Sequence, residues 1–539
     1  MTAPVPASSS GRAANAAGSV LLTLAAAQFL MTLDTSVMNV SIATVADDLG
    51  TTVTGIQTAI TLYTLVMASF MLTGSKIGEI VGRKRAFSVG CVIYGAGSFT
   101  TAISPNLGVL IFGWSLLEGL GAVLILPAVV ALVATNFPPE GRPRAYGLVA
   151  SAGAIAVAVG PLVGGLVTTY ASWRWVFAAE VVIVAAILLL ARRIRDAVPE
   201  HRPKLDGVGT LLSAAGLGMV VFGVLRAGVW GWVLPKSGGP AWLGLSPVVW
   251  LVLAGGLVIL AFFAWERRRV ARGQEPLLDP AILEYLEFRA GLYLFMFQFL
   301  IQAGLFFIIP LFLSVALGLS AVATGARLLP ISLTLLAAAL GVPKYLPRAS
   351  PRRVVQAGLG LLFLAMVVLL ASLDVNAGPG VTTVPLLLAG LGIGSLASQL
   401  GAVTVSSVPP SRTDQVGGIQ NTATNLGASL GTALAGAVLI AALTTSFLHG
   451  IEQNPAVPKE VTQSAQVELS SGVPFVSDAS LTTALSDAGV PEATAEAIVA
   501  ENEQSRIAGL RAALGALAIV TLIAMFFTRR LPTGPPTSS

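Results

Sequence analysis

The chain has 539 residues, of which 55% are hydrophobic and only 11% charged, with a mean hydropathy of +0.83. Soluble domains carry roughly a quarter charged residues, so this composition excludes a water-soluble globular protein. The net charge of +5 follows from basic loops and does not indicate a nucleic-acid partner. The single cysteine, Cys91, lies in an apolar block, which excludes a disulfide framework or a thiolate metal cluster.

Apolar segments of roughly 20 residues, the length that a membrane-spanning helix needs, recur from Val20 to Phe527 with short breaks. We therefore predict an all-α membrane protein with about fourteen transmembrane helices. The predicted spans are 19–43, 54–75, 86–104, 107–134, 145–168, 174–191, 206–226, 243–265, 289–314, 322–342, 353–373, 383–408, 415–445 and 504–527. Residues 1–18 and 528–539 are predicted to be tails outside the helices. The first is predicted to be retained, because no signal-peptide cleavage site interrupts the apolar block that follows it.

Basic residues are distributed unequally between the two sides of the predicted bundle. Both tails and the loops on their side hold 24 of the 31 Lys and Arg residues. Because positive residues near helix ends resist translocation, we expect both termini in the cytoplasm and the protein in the cytoplasmic membrane. The longest connection, 446–503, is then external, and its nine acidic residues suggest a solvated cap.

A weak internal repeat indicates a duplicated architecture. The basic segment 76–85 (KIGEIVGRKR) follows predicted helix 2, and the similar segment 344–353 (KYLPRASPRR) follows predicted helix 10. We predict two six-helix halves, 19–192 and 289–527, joined by residues 193–288 with two inserted helices. Duplicated halves with a substrate site near the bilayer midplane are a common transporter plan.

Three acidic residues, Asp34, Glu118 and Glu180, fall inside predicted helices away from loop boundaries. A charge at the bilayer centre costs roughly 3 kcal/mol or more, so these side chains should face the protein interior. Burial favours the protonated form of a carboxylate, and a group that exchanges its proton for a cation couples the two fluxes. The alternative, that each acid only forms structural hydrogen bonds, stays open, above all for Glu180.

Four segments carry a resemblance to a known family: 33–40 (LDTSVMNV), 75–85 (SKIGEIVGRKR), 160–165 (GPLVGG) and 173–177 (WRWVF). They resemble the fourteen-helix drug/proton antiporters of the major facilitator superfamily, the exporters of multiple drugs and quaternary ammonium compounds. The resemblance implies a proton-coupled exporter of lipophilic, cationic compounds, with no enzymatic activity, cofactor or metal. In predicted helix 4, the family motif Arg-x-x-Gln-Gly-x-Gly is replaced by residues 115–121 (SLLEGLG), so its arginine is missing.

The resemblance also assigns two groups of residues. The hairpin after predicted helix 2 is expected to act as a conformational switch through an ion pair with a neighbouring helix, and its residues are Glu79, Gly82, Arg83 and Lys84. The antiporter motif in predicted helix 5 is expected to form a tight, kinked helix pair, and its residues are Gly160, Pro161, Gly164 and Gly165. The alternative for the hairpin is that its basic residues only set the membrane topology. The alternative for the motif in helix 5 is simple helix packing without a transport role.

Uncharged polar side chains within the predicted helices are candidates for substrate binding. They are Gln57, Tyr63, Gln298, Gln302, Gln399, Asn421 and Asn425. Two of them, Gln298 and Gln302, are four residues apart with Phe295 and Phe299 nearby, a surface that suits a flat lipophilic cation. Hydrogen bonding between helices is the alternative explanation for all seven.

Other functions compete with drug export. A primary pump is disfavoured, because the sequence contains no G-x-x-x-x-G-K-[ST] phosphate loop. The cargo could instead be a lipid, a peptide or an endogenous metabolite. A transport-inactive sensor or scaffold is the third possibility, although it would have no use for three buried acids. The expected partners are a small lipophilic substrate, protons and membrane lipids, with the protein acting as a monomer.

Overall fold

The computed structural model describes residues 8–138, 142–196, 204–236, 239–409, 413–459, 461–462, 465, 469 and 473–534. Helices dominate these ranges, because backbone polar groups within a bilayer must be satisfied inside their own segment. The helices are α1 Ser8–Asp48, α2 Val53–Val81, α3 Arg83–Ala102, α4 Leu107–Asn136, α5 Arg142–Tyr170, α6 Arg174–Ala191, α7 Gly207–Trp230, α8 Pro247–Ala271, α9 Leu286–Ala316, α10 Ala321–Tyr345, α11 Pro351–Ser372, α12 Thr383–Ser406, α13 Thr413–Gln453, α14 Asp478–Asp487 and α15 Glu492–Phe527.

Thirteen of the described helices are long and apolar enough to cross a membrane. The predicted third span, α3, is not among them, because it begins with Arg83, Lys84 and Arg85 and is rich in Gly, Ser and Thr. It nevertheless packs against both α4 and α6 inside the bundle. The prediction of an all-α membrane protein is confirmed.

The helices pair in the same way in each half of the bundle. In the first half, α1 packs against α4, α5 and α6, α2 packs against α4, and α3 packs against α4 and α6. In the second half, α9 packs against α12, α13 and α15, α10 packs against α12, and α11 packs against α12 and α15. These are the same pairs when α9 to α13 and α15 are matched in order to α1 to α6. The two six-helix halves are therefore visible in the packing.

The halves meet through α2 with α13 and through α5 with α10, and the inserted pair α7 and α8 lies beside α2 and α13. We call the side of the bundle with the turn between α2 and α3 the hairpin side, and the opposite side the far side. Near the far side, Gly165 of α5 lies against the carbonyl of Ala321 in α10. Near the hairpin side, Gly147 of α5 has open space around its Cβ position, and Gly341 of α10 meets only its own helix. The hydrogen bonds between α5 and α10 run from Thr169 with Val322 near the far side to Val157 with Ser332 near the middle of the helices.

The segment 446–503, predicted to be an external connection, is partly helical. Helix α13 continues to Gln453, α15 begins at Glu492, and α14 lies between them. Phe475 is buried, and the buried guanidinium of Arg506 donates to both carboxylate oxygens of Asp478 at 2.5 and 2.6 Å. The described part of the segment packs onto the second half, because Val473 and Phe475 belong to the same buried apolar cluster as residues of α9, α13 and α15.

Candidate functional site

The three membrane acids meet inside the first half. Asp34 of α1, Glu118 of α4 and Glu180 of α6 each offer a carboxylate oxygen within 4.8 Å of the others. All three side chains are buried, with at most 1% of their surface exposed. The sequence therefore placed the acids correctly in the protein interior, and the structure adds that they form one cluster. We call these three residues the carboxylate cluster.

Each acid accepts hydrogen bonds from uncharged donors. The indole Nε1 of Trp114 donates to both oxygens of Asp34, at 2.9 and 3.0 Å. On α3, Ser98 and Tyr94 donate to Glu180 at 3.1 and 3.3 Å. Thr101, also on α3, donates to Glu118 at 3.3 Å. Helix α3 thus contributes a polar face to the cluster, which explains its low hydropathy.

The local shape of α4 brings its acid to this face. Residues Ile111–Glu118 form a π-helical stretch, a widened turn that is frequent at functional sites. A Cβ on Gly113 would meet Thr101 of α3 at 2.7 Å, and a Cβ on Gly97 of α3 would meet Glu118 at 2.6 Å. Only glycine allows so close an approach, so these two positions let α3 and α4 touch beside the carboxylates.

The cluster has more acceptors than donors. One oxygen of Glu118 and one of Glu180 are buried without a hydrogen-bond partner in the described part of the chain. None of the three acids forms an ion pair with a described residue. Two like charges about 4 Å apart repel by about 4 kcal/mol even at an effective dielectric constant near 20. Three ionised carboxylates in this site are therefore unfavourable.

Carboxylate oxygens at this spacing also suit a small hard cation, although the sequence analysis expected no metal. Both oxygens of Asp34 already accept the Trp114 N–H, which leaves fewer lone pairs for metal coordination. Protons need only the unpartnered oxygens of Glu118 and Glu180. The donor set therefore fits proton binding better than metal binding.

An aromatic stack connects the cluster to the second half. The ring of Tyr63 on α2 stacks on Trp114, with centroids 5.0 Å apart and planes within 5°. Six residues earlier on the same helix, Gln57 donates to the carbonyl of Thr432 in α13 at 3.0 Å. Ser429 of α13 donates to a carbonyl of α2 at 3.0 Å. A contiguous set of contacts therefore runs from Asp34 to the contact between the halves.

The hairpin residues form ion pairs within their own segment. Glu79 pairs with Arg83 at 3.1 Å and with Lys76 at 3.2 Å. Arg83 also donates to the carbonyl of Ser75 at 2.9 Å. Glu79 of α2 therefore pairs with Arg83 of the neighbouring helix α3 across the turn at Gly82. The role of this hairpin as a conformational switch stays a prediction.

Other groups attach the hairpin to its surroundings. Gly82 has a φ of 100°, a conformation that favours glycine, and it separates α2 from α3. The ammonium group of Lys84 donates to the carbonyl of Arg192 at the end of α6, at 3.0 Å, and its backbone N–H donates to Asp196 at 3.2 Å. The hairpin is thus fixed to the loop after α6.

The antiporter motif lies at two helix contacts. A Cβ on Gly160 would meet Ser36 of α1 at 2.5 Å, and one on Gly164 would meet Val37 at 2.9 Å. On the opposite face of α5, Gly165 and the carbonyl of Pro161 touch the backbone of α10. The predicted tight helix pair is present, and the same motif also forms the contact between the two halves.

Comparison with known proteins identifies the family. The model of the Major Facilitator Superfamily matches residues 24–432. The chain belongs to this superfamily. The puromycin resistance protein pur8 of Streptomyces alboniger is 32% identical over 451 residues, which cover 82% of this chain and 85% of that protein. The multidrug resistance protein Stp of Mycobacterium tuberculosis strain H37Rv is 26% identical, with 82% and 79% covered.

Solved structures show the same fold. A bacterial homologue of the human lysosomal transporter Spinster, in an inward-facing and unoccupied conformation, matches with a TM-score of 0.59 at 14% identity, covering 96% of this chain and 98% of that one. The POT family transporter PepTSo matches with a TM-score of 0.60 at 13% identity, covering 96% and 98%. At these identities, the likeness concerns the fold alone.

In this member of the superfamily, the predicted substrate residues differ in their hydrogen-bond partners and in their burial. Asn421 and Asn425 donate to carbonyls one turn earlier on α13, and Gln399 donates to the adjacent Ser398. Gln298 is buried, and its amide oxygen has no hydrogen-bond partner in the described part of the chain, whereas Gln302 is half-buried. The rings of Phe295 and Phe299 stack with centroids 6.4 Å apart. Tyr63 instead lies beside the carboxylate cluster, where it stacks on Trp114.

Sequence reasoning missed the donors around the cluster. Trp114 lies four residues before Glu118, and this spacing placed both on one helical face. Tyr94, Ser98 and Thr101 recur at four and three residues along α3, a polar stripe in an otherwise apolar helix. That stripe was the available signal, because polar side chains in membrane helices face the bundle interior.

Proposed function

We propose that the protein is a proton-coupled exporter of lipophilic, cationic small molecules, in which Asp34, Glu118 and Glu180 hold the coupling protons. The observation that carries this proposal is the burial of three carboxylates within 4.8 Å of one another. Such a cluster changes its charge when protons leave, and the change alters the forces among α1, α3, α4 and α6. A structural role alone gives no reason for three acids in one low-dielectric site.

The proposed coupling uses the contacts from Asp34 to α13. When the cluster loses protons, repulsion among the carboxylates favours their separation, and the hydrogen bonds from Trp114 to Asp34 change with it. Tyr63 stacks on Trp114 and lies on α2, which contacts α13 through Gln57. The charge of the cluster thereby biases the equilibrium between conformers open to one side or the other.

The orientation of the chain follows from its basic loops. We propose that the hairpin side is cytoplasmic, because it carries Lys76, Arg83, Lys84 and Arg85 after α2 and basic residues remain inside. The close contact of α5 with α10 near the far side then represents a conformer closed on that side. Cargo would enter from the cytoplasmic side and leave on the far side.

The relatives support drug-like cargo. Their names refer to puromycin resistance, tetracenomycin C resistance and export, and multidrug resistance. We propose that this chain likewise exports such compounds, and that the amides and stacked phenyl rings of α9 contribute to the cargo site. A lipid, a peptide or an endogenous metabolite is the alternative cargo.

Transport in proteoliposomes tests the proposal. Purified protein is reconstituted, a pH gradient is imposed, and movement of ethidium, a lipophilic cation, is followed by fluorescence. We expect transport that depends on the gradient and stops when a protonophore is added. Proton release from detergent-solubilised protein on adding ethidium is measured in parallel with a pH indicator.

Matched compounds separate the possible outcomes. A neutral aromatic compound of similar size tests the role of the cargo's charge, and a dipeptide and a short-chain phospholipid test the alternative cargoes. Transport of only the dipeptide or the phospholipid would replace the drug proposal. Gradient-independent movement of ethidium, without proton release, would rule out coupling through the cluster.

A further inference from the structure

A second pair of buried acids lies on the inserted helices, apart from the carboxylate cluster. Asp206 caps the start of α7, and Glu266 lies one turn from the end of α8. Their exposed fractions are 3% and 0%. Oxygens of both side chains crowd the position that a Cβ on Gly209 would occupy, so the two carboxylates face each other across this glycine.

Most of the hydrogen-bond donors around this pair serve Asp206. Asp206 forms an ion pair with Arg269 at 3.3 Å and accepts the indole N–H of Trp265 at 2.9 and 3.2 Å. It also accepts the backbone N–H of Gly209 at 3.0 Å. Asp206 is therefore well suited to carry the negative charge.

Glu266 has a different environment. One of its oxygens accepts the backbone N–H of Leu277 at 2.9 Å, and the other, Oε1, is buried without a hydrogen-bond partner in the described part of the chain. The charged group that faces Glu266 there is Asp206 of α7, whose partner Arg269 lies on the same helix as Glu266. A proton on Oε1 would satisfy this oxygen and donate to Asp206, whereas an ionised Glu266 would repel Asp206.

The acid pair is connected to the segment between α8 and α9. We call residues 273–284 the strap. Arg269, while paired with Asp206, also donates twice to the backbone carbonyl of Glu275, at 2.8 and 3.2 Å. The carboxylate of Glu275 lies 3.5 Å from Lys76 of α2, which pairs in turn with Glu79 of the hairpin.

The strap also contacts the second half. Leu278 and Ile282 are buried against Phe288 of α9 and against Val416 and Ile419 of α13. One end of the strap therefore contacts the hairpin of the first half, and the other end packs on the second half. A segment with contacts to both halves on one side resists their separation there.

We propose that Glu266 and Asp206 form a second proton-binding site, and that its proton keeps the strap docked across the hairpin side. Loss of the proton places a second negative charge beside Asp206. Ionised Glu266 then competes for Arg269, and the guanidinium leaves the Glu275 carbonyl. The contact between Glu275 and Lys76 weakens, and the strap undocks as the pH rises.

The test measures the position of the strap without substrate or gradient. Spin labels are attached at Val81→Cys on the hairpin and Gln274→Cys on the strap, both exposed positions, in a Cys91→Ala background. Electron–electron distances are recorded in nanodiscs from about pH 5 to about pH 9, a range that brackets a displaced carboxyl group. We expect the ratio of docked to undocked strap to fall by up to about tenfold per pH unit, the limit for one proton.

Three variants decide the assignment. Glu266→Gln keeps a donor toward Asp206 and should stay docked at every pH. Glu284→Gln, an exposed acid on the same strap, should behave like the parent protein. Glu287→Gln, an exposed acid at the start of α9, should also leave the pH dependence of the strap unchanged. A pH-independent distance in the parent protein, or an unchanged pH dependence in Glu266→Gln, would refute the proposal.

Hydrogen exchange provides a measurement without labels. The peptide covering 273–284 contains the Leu277 amide that bonds Glu266, and its protection is compared between unmodified protein and Glu266→Gln at each pH. The two should match at low pH and separate as the pH rises. Equal protection throughout would contradict the proposal even if the labelled variants failed to fold. Neither outcome bears on ethidium transport, so the two proposals fail independently.

Discussion

The two halves of the bundle pair their helices alike but place different chemistry in their interiors. The first half buries Asp34, Glu118 and Glu180 on α1, α4 and α6. In the second half, the counterpart helices α9 and α12 carry the buried amides Gln298 and Gln399. An amide cannot change its charge, whereas a carboxylate can. The duplicated scaffold thus supplies equivalent positions, and we infer that only the first half uses them for protons.

Asp34→Asn should break this asymmetry with the largest effect. The variant keeps the shape of the side chain but removes the ionisable group that bonds Trp114. We expect gradient-driven ethidium transport to fall to background, while the protein stays monodisperse and folded. Asp47→Asn, an exposed acid on the same helix, is the matched control and should transport normally. Normal transport by Asp34→Asn would remove Asp34 from the coupling role.

Arg506→Met tests the contrasting role of charge in the second half. Its guanidinium is buried and donates hydrogen bonds to Asp478 of the 446–503 segment. We expect a loss of about 2 kcal/mol in stability, below the 3–5 kcal/mol typical of fully buried pairs, because Asp478 is partly exposed. Thermal unfolding in detergent measures the effect, and Lys459→Met, an exposed outer residue, is the control. Gradient dependence of transport should survive, since this pair is structural.

Glu118→Gln should sharpen the comparison by counting protons. It gives the cluster the amide that the family usually has at this position and leaves Asp34 and Glu180 to titrate together. We expect ethidium still to bind, about one proton fewer to be released per bound cation, and the pH midpoint of binding to move. Isothermal titration in buffers of different ionisation enthalpy measures the proton number. An unchanged proton number and midpoint would mean that Glu118 only bonds Thr101.

Gln57→Leu should have the smallest effect. It should shift the equilibrium between conformers in which the two halves are closed or open on the far side. It removes the hydrogen bond from α2 to the carbonyl of Thr432, worth about 1 kcal/mol. We expect the population closed on the far side to fall by about fivefold, as measured between spin labels at Thr51→Cys and Gln453→Cys. Gln28→Leu, whose side chain bonds only within α1, should leave the distances unchanged. A similar shift in both variants would show that the cross-half bond is not responsible.

The sequence by itself determined the membrane class, the duplicated plan and the burial of the three acids. Hydropathy suffices for the membrane class and the buried acids, because a helix in lipid satisfies its own backbone and an ionisable side chain must turn inward. The similar basic segments 76–85 and 344–353 indicate the duplication. The sequence also located the antiporter motif, because repeated glycines indicate close contact between helices. The helix ends around 446–503 were misjudged, because polar helical turns outside the membrane lack a hydropathy signal.

Only the tertiary structure decided which distant residues meet. Asp34, Glu118 and Glu180 are separated by 84 and 62 positions in the chain, and their convergence depends on how α1, α3, α4 and α6 pack. The glycines of α3 and α4 set that distance, and the π-helical stretch of α4 presents Trp114 to Asp34. The pairing of Asp206 with Glu266 likewise required the contact between α7 and α8. Side-chain periodicity reports which face is buried, but the partner across that face is fixed by the packing of several helices at once.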